Sequence, residues 1–398
     1  MNIGIFTNNY LPNPYGVTGS VESFRKQFER KGHNVYIFAP QWKGYKDENP
    51  NACPPLAAPS GVSGRVFRYP SVDIKFKFRF PLAVPYSRKM DKIISDLNLD
   101  IIHSQHPALM GTSAMKWAKK KNIPLVFTWH TLYDQYTNFV PLIPDKLTAK
   151  WIIRKAAKYA NACDQIIIPT ESLKNIIKNW GVVNENIKAI PTGIEEEIYK
   201  NPDRSLVRNK YGINEDETLL LSISRLTKEK NVRFLLRAVS EILKSKSKVK
   251  FLIAGEGYLV PELKKIVRRN SIEDKVIFAG IVNKKEIKDY YAAGDIFVYA
   301  SKSETQGMII SEAMYSGLPI VAVRATGIQD LVEDKINGYL VSEDRKEFIS
   351  AINKLIDDKE LRDKFSRESA RISREKYTST VCAEKMLKVY EKLISASQ

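Results

Sequence analysis

Short apolar runs alternating with longer helix-like segments predict an α/β protein built as two doubly wound halves. Three observations carry that expectation. Runs such as Ile3 to Thr7 and Leu219 to Ile223 are almost wholly apolar, as strands buried on both faces of a parallel sheet must be. At 398 residues the chain is too long for one ordinary core and fits two domains. Between the halves, Pro191-Thr-Gly-Ile-Glu-Glu-Glu-Ile-Tyr-Lys-Asn-Pro202 is rich in proline, glycine and acid and breaks the pattern as a hinge would.

Taken in order, the first half opens with the strand Ile3 to Thr7 and continues with Val35 to Ala39, Ile101 to His103 and Leu125 to Thr128, then Gln165 to Pro169 and Ala189 to Pro191. The second half offers Leu219 to Ile223, Val249 to Ala254, Val276 to Ala279, Ile296 to Ala300, Ile320 to Val323 and Gly338 to Val341. Helical stretches lie between them. Domains over 1–196 and 197–378 follow, with ligands expected at the carboxyl ends of the strands.

Composition narrows the function classes. Hydrophobic residues make up 43% of the chain, yet no run reaches the 18 or so apolar residues of a membrane span. The first residues enter a strand directly, with no charged-then-apolar leader, so no signal peptide is expected. Three cysteines, Cys53, Cys163 and Cys382, are odd in number and lack Cys-x-x-Cys spacing, which argues against a disulfide framework or structural zinc and for the cytosol. Net charge is +18, unevenly placed: residues 1–160 hold 23 Lys and Arg against 10 Asp and Glu, the rest 40 against 35. A first half this cationic attracts polyanions, either nucleic acid or an anionic membrane leaflet. No helix-turn-helix, RNP, KH or zinc-finger pattern accompanies the charge, so nucleic acid is disfavoured.

The most informative segment is Glu304-Thr-Gln-Gly307-Met308-Ile309-Ile-Ser-Glu312-Ala-Met-Tyr-Ser-Gly317-Leu-Pro319. It follows a strand, turns at Gly307 into a helix and stops at Gly317-Leu-Pro319. A helix start offers free N–H groups and a positive dipole end to a diphosphate, and the glycine lets phosphates come close. Glu312, one turn in, can accept from two ribose hydroxyls, and Glu304 can reach a transferred sugar. Arg225 and Lys230 lie five apart in the loop after Leu219 to Ile223, where a forked and a point cation can neutralise a leaving diphosphate.

These residues resemble the retaining GT-B glycosyltransferases of family 4, whose C-terminal domain carries two glutamates separated by seven residues and then a Gly-x-Pro turn. The resemblance runs over nearly the whole chain. Within the family it is nearest to membrane-associated enzymes that glucosylate diacylglycerol, through His130-Thr-Leu-Tyr-Asp-Gln-Tyr-Thr and the basic helix after it. It implies two Rossmann-like domains across a cleft, with the last helix, about Ser379 to Ile394, returning to the first domain. It also implies that Arg225 and Lys230 hold the pyrophosphate and that His130 touches the transferred sugar near its anomeric carbon. Gly16, in the loop Asn8 to Val21 with Thr18 or Ser20 as helix cap, corresponds to a glycine loop over donor diphosphate and acceptor. Gly255 completes the second half, and Ile281 and Val282 correspond to the stretch whose backbone reads the nucleobase. Met308 replaces the bulky Phe or Leu often found after the motif glycine, which bears on donor preference.

His103 and His106 stand three apart without a neighbouring carboxylate or cysteine, a weak metal pattern, and no Asp-x-Asp is present. No metal or other cofactor is therefore expected, with Arg225, Lys230 and a helix start supplying positive charge. Two segments point to a membrane. In Lys75-Phe76-Lys77-Phe78-Arg79-Phe80, alternation along one extended chain would separate three cations from three phenylalanines. From Lys146 to Lys158, Lys146, Lys150, Arg154 and Lys158 form one helical stripe, with Trp151 on the basic side and Ala149, Ile152, Ile153, Ala156 and Ala160 opposite. The expected function is hexose transfer, glucose from UDP-glucose, to a diacylglycerol-type lipid at the cytoplasmic face of the membrane. A soluble family member acting on sugars, and a non-catalytic sugar-nucleotide or polyanion binder, stand as alternatives.

Overall fold

The computed structural model describes residues 1–13, 16–45, 47, 65–76, 78–133, 145–302 and 304–397. Contacts divide the chain into two compact units, Met1–Gly193 with Cys382–Gln398, and Ile194–Val381.

The first unit contains β1 (Asn2–Phe6), β2 (Asn34–Pro40), β3 (Val66–Tyr69), β4 (Ser71–Phe76), β5 (Phe78–Ala83), β6 (Ile101–Ser104), β7 (Leu125–Thr128), β8 (Gln165–Ile168) and β9 (Ile187–Ala189). Among the described residues, seven of these form a parallel sheet in the order β3-β2-β1-β6-β7-β8-β9. The second unit contains β10 (Thr218–Ile223), β11 (Val249–Ala254), β12 (Val276–Gly280), β13 (Ile296–Tyr299), β14 (Ile320–Val323) and β15 (Gly338–Val341). Its order, β12-β11-β10-β13-β14-β15, is also parallel throughout. In each unit the winding reverses beside the first strand, between β1 and β6 and between β10 and β13. Ligands collect at the carboxyl side of such reversals.

Each sheet is buried on both faces because alternate residues feed opposite cores. In the first unit Phe6, Phe38 and Phe127 pack on one side, Ile5, Ile37 and Val126 on the other. The helix Ser379–Ser397 closes the second of these cores with Cys382, Met386 and Tyr390. In the second unit Leu220, Phe251 and Val298 face one core while Leu221, Leu252 and Phe297 face its counterpart.

Three departures from the sequence reading have local causes. The strand β3 was not expected, since Arg68 interrupts its apolar run. In the fold that guanidinium is nearly buried, ion-paired with Asp47 and bonded to the carbonyls of Pro40 and Leu11. The helix Gly16–Arg30 starts before Thr18 and Ser20, so neither caps it; the Ser20 hydroxyl instead pairs with Thr192 at 2.7 Å. Finally, the Lys75 to Arg79 segment is not one extended strand. It is divided between the antiparallel strands β4 and β5, with Lys75 opposite Arg79 and Phe76 opposite Phe78. Lys77, and the side chains of Lys75, Phe76, Phe78, Arg79, Phe80 and Lys146, lie outside the described residues.

Candidate active site

At the sheet reversal of the second unit, two loops converge. The loop after β10 carries Arg225 and Lys230, and the loop after β13 carries Glu304. Gly255, after β11, lets its turn pass close to the loop after β10: its φ is +124°, and a Cβ there would lie 1.9 Å from the Ser224 carbonyl oxygen. Only glycine combines that dihedral with so close a backbone passage. Gly255 also donates its N–H to the Gly280 carbonyl at 2.7 Å, fixing the β11 and β12 loops together.

Lys230 and Glu304 form the centre. Lys230 Nζ meets Glu304 Oε1 at 2.5 Å, and the Tyr299 hydroxyl donates to the same oxygen at 2.5 Å. Both charged side chains are largely shielded, at 13% and 14% exposure. Tyr299 sits within the sheet, where burial, and then the Glu304 charge, push its hydroxyl well above the usual tyrosine range. It therefore stays a neutral donor. Arg225 differs from Lys230: its side chain is 72% exposed and reaches Glu229 at 3.3 Å. It is free to turn toward an incoming anion, while Lys230 is already placed.

The helix Met308–Tyr315 starts from Gly307, whose φ of +79° releases the chain from the loop into the first turn. Met308 and Ile309 are half-buried on that turn. Glu312 lies one turn in, and sequence reasoning missed what holds it. The Tyr291 hydroxyl donates to Glu312 Oε2 at 2.8 Å, and Tyr199 also bonds the carboxylate. Burial raises the Glu312 pKa above 4.5, while the two hydroxyls pull it back. A carboxylate has about four acceptor positions, so two tyrosines leave room for ribose hydroxyls. Farther along the edge, Ile281 is 75% exposed whereas Val282 packs against the core, so adjacent residues point to opposite sides.

In the first unit, three histidines lie in or directly after β6 and β7. His130 follows β7 after the buried Trp129, and its Nε2 lies 2.7 Å from Gln105 Oε1. Burial lowers its pKa to about 4. His103 is bonded by Tyr390 and Thr128, each at 2.6 Å, and His106 Nδ1 accepts the Asn8 N–H at 3.1 Å. Burial, and secondarily His130, brings each of these two to about 3. All three are thus neutral at physiological pH. Among the described residues no group of three or more His, Cys, Asp or Glu could hold a metal ion. Gly16 begins the first helix with open space around it.

On the helix Asp145–Ala160 of the same unit, Lys150, Trp151, Arg154 and Lys158 are exposed, Trp151 at 63%, while Ala149, Ala156 and Ala160 are buried. Lys155 stands over the Trp151 ring at 5.7 Å. Among the described residues no helix is long and apolar enough to cross a membrane.

Two parallel sheets wound in this order are the frame of the GT-B fold. A family model described as Glycosyltransferase Family 4 matches residues 14–198, and one described as Glycosyl transferases group 1 matches residues 203–371. An alpha-monoglucosyldiacylglycerol synthase of Streptococcus pneumoniae is 32% identical over 351 residues, 85% of this chain and 75% of that protein. The synthase of the same name from Acholeplasma laidlawii is 31% identical over 405 residues, 99% of this chain and 98% of that one. Among solved structures, Anabaena Alr3699/HepE in complex with UDP superposes with a TM-score of 0.76 at 19% identity, covering 99% of this chain and all of that one. The chain belongs to glycosyltransferase family 4.

Proposed function

We propose that the enzyme transfers glucose from UDP-glucose, with retention at the anomeric carbon, to a diacylglycerol-type lipid at the cytoplasmic face of an anionic membrane. The observation that carries this reading is the Lys230–Glu304–Tyr299 centre at the sheet reversal, with Glu312 one helical turn beyond Gly307. Lys230, with three N–H donors, can keep Glu304 and still contact a phosphate oxygen. Arg225 adds a fork of donors, and the helix start adds its unpaired N–H groups. Positive charge is thereby accounted for by the chain itself, and the reading invokes no metal or other cofactor. Glu312 takes the ribose, the backbone at Ile281 and Val282 the base, and Glu304 and His130 the hexose.

The transfer itself breaks the bond between the anomeric carbon and the β-phosphate oxygen. The acceptor hydroxyl then attacks from the same face and passes its proton to the departing phosphate. Two relatives named as alpha-monoglucosyldiacylglycerol synthases support the lipid acceptor. The exposed Lys150, Trp151, Arg154 and Lys158 support attachment at an anionic surface.

Incubation with radiolabelled UDP-glucose or GDP-mannose over vesicles of diacylglycerol and phosphatidylglycerol tests the reading. Labelled monoglucosyl lipid from UDP-glucose is expected. Product from GDP-mannose alone, or transfer only to soluble sugars, would overturn it.

A further inference from the structure

Gln105 lies directly after β6, is 6% exposed, and turns the carbonyl of its side chain toward the imidazole of His130. Its place is set from several sides. Its backbone N–H donates to the Phe6 carbonyl at 2.8 Å, anchoring the loop to the end of β1. The Ser104 hydroxyl donates to the His106 carbonyl at 2.8 Å, and Asn8 binds the same loop through its N–H to His106 and through its Oδ1 to the Met110 N–H. Gly111 permits this packing, since a Cβ there would lie 2.0 Å from the His106 carbonyl oxygen. Gln105 is held before any substrate arrives.

A neutral imidazole carries one proton, and the hydrogen bond made by one nitrogen decides the role of the other. Burial keeps His130 neutral, and among the described residues the titratable groups that interact with it, His103 and His106, are neutral as well. With the Gln105 carbonyl accepting at 2.7 Å, the proton belongs on Nε2. Nδ1 then presents a lone pair.

We propose that Gln105 is a positioning residue that fixes His130 as its Nε2–H tautomer, so that Nδ1 accepts a hydrogen bond from a hydroxyl of the sugar substrate. This inference rests on the reading that His130 meets the sugar. It makes His130 a neutral, directional acceptor rather than a proton donor or a cation.

The chain has four histidines, so ring 15N shifts of the full-length, histidine-labelled protein can be assigned by single substitutions. The parent should show a protonated Nε2 and an unprotonated Nδ1 at His130. Gln105→Leu should lose that bias, giving a mixed or reversed tautomer, and lower kcat with UDP-glucose roughly tenfold with KM within about threefold. Gln105→Glu keeps an acceptor in place and should retain the Nε2–H tautomer. Its added carboxylate also favours imidazolium, so its kcat should begin to fall at a higher pH than the parent's as pH is lowered. A parent His130 protonated on Nδ1, an unchanged tautomer in Gln105→Leu, or parental kcat in that variant would each overturn the proposal. If the parent transfers nothing from UDP-glucose, the donor reading fails, and the nitrogen shifts alone decide the role of Gln105.

Discussion

The two units share a strand order and differ in the chemistry set at the reversal of that order. In the second unit the edge is ionic: Lys230 on Glu304, and Glu312 under two tyrosine hydroxyls. In the first, the described residues beside the reversal include His103, His106 and His130, all held uncharged by burial. The cationic surplus of the first unit lies elsewhere, on outward-facing positions such as Lys150, Arg154 and Lys158. On the proposed function, one topology serves two purposes: fixed charges to hold a diphosphate, and neutral directional groups to tell hydroxyls apart. Charge on the outside is, on the same proposal, a separate matter of attachment.

The largest expected effect separates that outer charge from both edges. Polybasic segments gain about 1 kcal/mol per cation near an anionic surface, and the Debye length is about 8 Å at physiological salt. Replacing Lys150, Arg154 and Lys158 with glutamate should release the enzyme from phosphatidylglycerol vesicles while leaving UDP affinity intact. Co-sedimentation across a salt series measures this. A triple variant that still pellets like the parent removes the helix from the membrane surface.

Next in size is the ionic centre. Lys230→Ala leaves the shielded Glu304 carboxylate without its cation and deprives the diphosphate of a charged donor, at a cost of about 1.5 to 3 kcal/mol, or roughly 10- to 150-fold in UDP affinity. Glu304→Gln should lower kcat more than it weakens UDP binding, because its partner on the substrate is the hexose. Titration calorimetry and steady-state kinetics separate the two. Equal loss of affinity in both variants would place Glu304 with the diphosphate instead.

How much of this was legible in the sequence follows the same division. All six strands of the second unit could be read, because parallel strands buried on both faces are largely apolar, with single interruptions such as Lys250 in β11. The first unit hid β3, β4 and β5, where Arg68, Asp73 and Lys75 interrupt the apolar pattern. Lys230, Glu304 and Glu312 were readable as charges at loop and helix starts. Their mutual contact was not, since Lys230 and Glu304 stand 74 positions apart and only the strand order brings them together. Gln105, Tyr199, Tyr291 and Tyr299 were missed for a related reason: a glutamine after a strand, or a tyrosine in a strand, helix or turn, looks like ordinary packing until its partner is known. Position at the carboxyl end of a strand was the available signal for Gln105, as it had been for His130.

A pH dependence distinguishes the two edges more finely. Glu312 must be ionised to accept fully from ribose hydroxyls, and burial raises its pKa above 4.5. UDP affinity should therefore weaken as pH falls through that raised value, and Glu312→Gln should bind more weakly at neutral pH but lose this acid limb. His103, His106 and His130 titrate at about 3 to 4, so these three contribute no step near neutrality. Calorimetry with UDP over a pH series checks the sign. An acid limb that survives in Glu312→Gln would assign it to another group.

The smallest expected effect concerns the tyrosines that hold Glu312. Tyr291 comes from the helix Ile287–Ala293 and Tyr199 from the turn Glu196–Tyr199, so two separate elements fix one carboxylate. Tyr291→Phe and Tyr199→Phe each remove one hydroxyl while keeping the ring, and a single hydrogen bond contributes about 0.5 to 1.5 kcal/mol. UDP affinity should drop only a few-fold at neutral pH. Because both hydroxyls lower the Glu312 pKa, each substitution should also move the acid limb to higher pH, so the loss grows as pH falls. That combination separates positioning from general destabilisation, which would weaken binding alike at every pH. If both variants keep the parental affinity and the parental limb, Glu312 is oriented by its helix alone, and the ionic edge needs no support from the tyrosines.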